Sequence, residues 1–106
     1  MPETTHLTQQ DEGLRRTRSL PAPSYAAQLL TEFATQLDSH PADALTPRAI
    51  GTALAAAMDS TLRMLPLAVQ GAVAIRALGA LPQLAPGEWI TCGEYALRLR
   101  AAAVGL

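Results

Sequence analysis

Residues 46–81 read TPRAIGTALAAAMDSTLRMLPLAVQGAVAIRALGAL, and this stretch decides the fold class. Thr46 is a favoured helix N-cap. Pro47 sits where its missing N–H costs nothing, and Leu45 with Ile50 forms a hydrophobic staple. Ile50, Leu54, Ala57, Met58, Thr61, Leu62 and Leu65 recur at helical spacing, with Arg48, Thr52, Asp59 and Arg63 opposite. Asp59 and Arg63, four apart, can pair on the wet side. Gly79 followed by Pro82 is a stop signal.

Pro66 interrupts the segment. Inside a helix it removes one hydrogen bond and clashes with the carbonyl of Leu62, at a cost of about 3 kcal/mol. A new helix would want a polar cap at position 65, and Leu65 is a poor one. The central helix is therefore expected to be kinked or broken at Pro66, with a kink favoured.

Beyond Pro66 the chain is apolar nearly all round, interrupted only by Gln70 and Arg76. The apolar run between Arg63 and Arg76 is about 12 residues, short of the about 20 a membrane span needs, so a membrane is not expected. Such a helix is either buried in the core or held at an interface, here one with Leu67, Val69, Val73 and Leu78.

Working outward, Ser24 caps a clearly amphipathic helix. Tyr25, Leu29, Phe33 and Leu37 repeat every four residues, and the helix should stop near Asp38 or Ser39 ahead of Pro41. After the Pro82–Gly87 connection, Thr91 and Glu94 form a capping box and Ile90 with Tyr95 a second staple. Trp89 is expected to close the core, and Glu94 to pair with Arg98. The alternation Leu97-Arg98-Leu99-Arg100 could suit a strand, but the capping box and the alanines after it favour helix. The pattern Ile90-Thr91-x-x-Glu94-x-Ala96-x-x-Leu99 resembles the first helix of excisionase-type helix-turn-helix domains, over about ten residues. That resemblance implies a recognition helix to follow, for which no sequence remains before Leu106.

Together these signals predict an all-α fold: a small three- to four-helix bundle over residues 24–106, behind a disordered arm over residues 1–23. The arm carries no apolar period, only polar residues, prolines and the cluster Arg15, Arg16 and Arg18.

Composition narrows the function classes. The chain has 106 residues and a formal net charge of −1, which favours neither polyanionic nor polycationic partners. It has no Lys and no Asn, and all 8 of its basic residues are Arg, a bias that points to a GC-rich bacterial genome. Cys92 is the only cysteine, so no intrachain disulfide forms, and no secretory signal is evident; the expected location is cytoplasmic.

Asp38-Ser39-His40 holds the residue types of a hydrolase triad, but sequence neighbours cannot converge as a triad requires. His6, His40 and Cys92 are scattered without metal-ligand spacing. No catalytic, metal or cofactor-binding residue is assigned and no cofactor is expected. A pocket holding His40, Cys92 or Glu88 would reopen the question of an enzyme.

The leading expectation is a helical protein–protein interaction or regulatory module, self-associating or docked on a protein partner. The alternative is an accessory nucleic-acid-binding regulator using Arg15, Arg16, Arg18, Arg98 and Arg100.

Overall fold

A computed structural model describes residues 24–106. The expected disordered arm, with Arg15, Arg16 and Arg18, lies outside the described residues. The fold is all-α. Helix α1 spans Tyr25–Leu37, α2 Pro47–Leu62, α3 Leu67–Gly79 and α4 Cys92–Val104. No strand forms among the described residues. A single antiparallel bridge between Ala44 and Thr91 ties the α1–α2 loop to the start of α4. On either side of it, Leu45 N–H donates to Ile90 O at 3.0 Å and Cys92 N–H to Asp43 O at 2.8 Å.

The expected centre is displaced. The hub is α1, not the 46–81 segment: α1 packs against α2, α4 and, less extensively, α3, while those three touch each other little. The cause lies in side-chain size. Leu29, Leu30, Phe33 and Ala34 are fully buried, with Ala26 and Leu37 beside them. Each large side chain so buried contributes about 1.5–3 kcal/mol. From α2 the buried residues are only Ala53, Ala57 and Leu62, and from α3 only Ala77. Phe33 meets Tyr95 of α4 edge-on, with ring centroids 6.3 Å apart, and Leu99 completes the seam.

The caps explain where three of the helices begin. Ser24 Oγ accepts from Ala27 N–H, Thr46 Oγ1 from Ala49 N–H and Thr91 Oγ1 from Glu94 N–H. The Thr91 box is only half made, because the Glu94 carboxylate accepts from the Thr91 hydroxyl at 3.2 Å. The residues expected to form the staples all turn inward: Leu45 and Ile50 pack on the core, and Ile90 and Tyr95 are buried. Residues 95–100 are helical. Trp89, however, does not close the core; it is 69% exposed, and Ile90 fills that place. Tyr25, at the solvent end of the α1 stripe, is 48% exposed.

At Pro66 the helix is broken rather than kinked. α2 ends at Leu62, and Leu65 N–H turns back to Leu62 O at 2.9 Å. Pro66 takes an extended ψ of 147° as the N-cap of α3. No side chain caps α3; the Gln70 side-chain amide instead donates to Leu65 O at 2.7 Å and ties the helix back across the break. No helix among the described residues is long and apolar enough to cross a membrane.

Candidate functional site

Two places merit chemical scrutiny. The first is a cleft of about 450 Å³ where the α1–α2 loop meets the N-terminus of α4. Its floor is Leu37, Ala53 and Cys92, all buried, and its rim carries the exposed His40, Asp43 and Arg48. Two of the residues named as able to reopen the enzyme reading, His40 and Cys92, thus share one cavity.

Their chemistry does not build a nucleophile. The Cys92 thiol is 3% exposed and donates to Ala44 O at 3.7 Å. Burial pushes its pKa up and the Asp43 charge adds to this, whereas a reactive thiol needs a lowered pKa. Asp38 does not orient His40, because its carboxylate pairs with Arg100 at 2.5 Å. The Ser39 hydroxyl donates to Gln36 O. Among the described residues, no three His, Cys, Asp or Glu side chains gather as a metal site.

The arginines named for nucleic acid divide. Arg98 does not pair with Glu94; it reaches Glu88, with Nη2 2.5 Å from Oε2. The Arg98 hydrogen bond lowers the Glu88 pKa, assisted by the Ala85 N–H, and raises that of Arg98. Arg100 is held by Asp38. Both cations of α4 are therefore neutralised within the fold. Arg63 pairs with Asp59 at 2.7 Å, the expected i,i+4 pair. Among the described residues Arg48 alone of the arginines makes no ion pair or hydrogen bond through its side chain.

The second place is the outer face of α3. Leu67 is 83% exposed, Ile75 75% and Leu78 42%. With Gly71 these residues fall within about 80° around the helix axis, at 3.6 residues per turn. Gly71 itself is open: a Cβ there would meet nothing within 4 Å. Met64, 88% exposed, stands in the turn ahead of Pro66.

Of the four interface residues named from sequence, Leu67 and Leu78 lie on this face. Val69, 39% exposed, does not lie on it; at 3.6 residues per turn it falls roughly 120° around the helix from Ile75. Val73 turns inward and packs against the core. Ile75 and Met64 were missed. The signal that could have found Ile75 is Gln70: its amide is needed at the Pro66 break, so Gln70 turns inward and the opposite side of α3 must face out.

Compared with known proteins, the chain matches no family model, no curated protein and no solved structure.

Proposed function

We propose that this chain is a small cytoplasmic helical interaction module that self-associates through the outer face of α3. The observation that carries the reading is the set Leu67, Ile75 and Leu78, exposed together on one helix face. Single exposed apolar residues are ordinary on a protein surface; an uncharged stripe of large ones marks an interaction site. The break at Pro66 contributes, since it turns α3 away from the line of α2 and leaves only Ala77 of α3 fully buried.

The nucleic-acid alternative is supported by less. Two of its five arginines, Arg98 and Arg100, are occupied by Glu88 and Asp38. An enzyme is supported by less still, given a Cys92 thiol that burial makes less nucleophilic.

The test is solution mass by light scattering after size exclusion, over a wide range of loading concentrations, for the full chain and for Ile75→Glu. The reading expects an oligomer that dissociates on dilution, and a monomer for the variant. A wild-type monomer at every concentration would refute it.

A further inference from the structure

We propose that the cleft between the α1–α2 loop and the start of α4 binds a free amino acid with an apolar side chain, of the leucine type. Arg48 takes its carboxylate and Asp43 its ammonium group, and its side chain rests on the floor of Leu37, Ala53 and Cys92. The inference does not depend on association through α3.

The observation that carries it is a pair of charges the fold leaves over. Among the described residues, every side-chain carboxylate but one has a side-chain partner. Glu32 accepts from Gln36, Asp38 pairs with Arg100, Asp59 with Arg63 and Glu88 with Arg98, and Glu94 accepts from the Thr91 hydroxyl. Asp43 is the exception. Among the arginines the exception is Arg48, since even Arg76 reaches Leu106 O. The unpaired anion and the unpaired cation line the same cleft, and they do not pair with each other.

Their backbones are anchored separately. Asp43 N–H donates to His40 O at 3.1 Å, and Asp43 O accepts from Cys92 N–H at 2.8 Å, which ties this residue to the start of α4. Arg48 stands in the first turn of α2, beyond the Thr46 cap. Two charges fixed in this way are preorganised for a ligand that carries both signs. A simple anion would be repelled by Asp43 and a simple cation by Arg48; a zwitterion satisfies both. The planar guanidinium fork of Arg48 matches a carboxylate.

The floor decides the rest of the ligand. Leu37 and Ala53 are buried, and burial keeps the Cys92 thiol neutral, so the floor offers nothing to a charged side chain. The cleft measures about 450 Å³, within the range of about 300–1,000 Å³ typical of small-molecule sites. It therefore has room for an apolar side chain as well as the two head groups. Asp43 and Arg48 are exposed, so water screens both contacts and the expected Kd is on the order of 1 mM.

The experiment is an amide-resolved NMR titration of the full chain at neutral pH with three probes. They are L-leucine, 4-methylpentanoate (leucine without its ammonium group) and 3-methylbutylamine (leucine without its carboxylate). Leucine is expected to give saturable shifts at the amides of Leu37, Asp43, Ala53 and Cys92, and to bind about five- to tenfold tighter than either analogue. Arg48→Gln should weaken leucine to the level of the amine, and Asp43→Asn to the level of the carboxylate. Arg63→Gln, a charge removed elsewhere, should change its Kd by less than about twofold. Circular dichroism checks that each variant folds, and the three probes on the wild type stand without any variant. The proposal is overturned if leucine gives no saturable shift up to about 20 mM, well above the expected Kd. It is also overturned if 4-methylpentanoate binds as tightly as leucine, which would make the cleft a site for carboxylates alone. Saturable shifts confined to residues outside the cleft would overturn it as well.

Discussion

Phe33→Leu separates a core organised by α1 from one organised by the 46–81 segment. Phe33 is fully buried and meets Tyr95 edge-on at 6.3 Å. Leucine keeps the apolar character, so the loss has two parts. The aromatic pair is worth about 0.5–1.5 kcal/mol beyond area. The smaller side chain leaves a void of roughly 25 Å³, which at about 24 cal/mol per Å³ adds about 0.6 kcal/mol. The expected destabilisation is thus about 1–2 kcal/mol, or about 5–15 °C in Tm for a domain of this size. Ile75→Ala is the control. Ile75 is 75% exposed, and alanine is the better helix former, so the monomer should change by less than about 0.5 kcal/mol. Urea unfolding followed by helical circular dichroism measures both. Repeating it at several protein concentrations isolates any contribution from association. The reasoning fails if Phe33→Leu costs under about 0.5 kcal/mol, or if Ile75→Ala costs as much at the dilute limit.

Gly93→Ala should destabilise the joint between the α1–α2 loop and α4. Its Cβ would stand 2.9 Å from Pro41 Cβ and 3.1 Å from Pro41 O, so the backbone there must shift; thermal unfolding should show a lower Tm, and an unchanged Tm would mean the loop yields freely. Cys92 should resist alkylation at pH 8 in the folded chain and react quickly in urea, since burial raises its pKa and shields it; equal rates in both would contradict the buried thiol. Glu88 has a folded-state pKa below its ordinary 4.5, so its pairing with Arg98 stabilises the fold above that value and is lost as pH falls toward the lowered one. Glu88→Gln should therefore be less stable than the wild type near neutral pH, with the gap closing in acid and narrowing in salt; a gap that is independent of pH would sink that assignment.

Helix type and starts were legible because they depend on local chemistry. Ser24, Thr46 and Thr91 each accept the backbone N–H that their position implies. The Asp59–Arg63 pair was legible for the same reason, since both partners lie one turn apart on a single helix. Periodicity, by contrast, does not weigh side-chain volume. The alanine-rich 46–81 segment showed the longest apolar run, yet Leu29, Leu30 and Phe33 of α1 fill the centre. Long-range pairs were not legible either. Glu94 is one turn from Arg98, but Glu88 reaches it across the turn before α4, and Asp38 takes Arg100 from another helix. At the candidate site the face of α3 could be read only in part. Gln70 looks like a marker of the solvent side until its bond to Leu65 O across the break is known. That one polar contact rotates the apolar stripe, bringing Ile75 out and Val73 in.

Amide hydrogen exchange at low and high protein concentration tests the α3 association face most directly. Amides of α1 should be protected at every concentration, because Leu29, Leu30, Phe33 and Ala34 exchange only when the core opens. Those of α3, from Leu67 to Gly79, should exchange readily in dilute solution and slow as concentration rises. If α3 exchange is independent of concentration, or if the added protection falls on α4 instead, α3 is not the surface through which this chain associates.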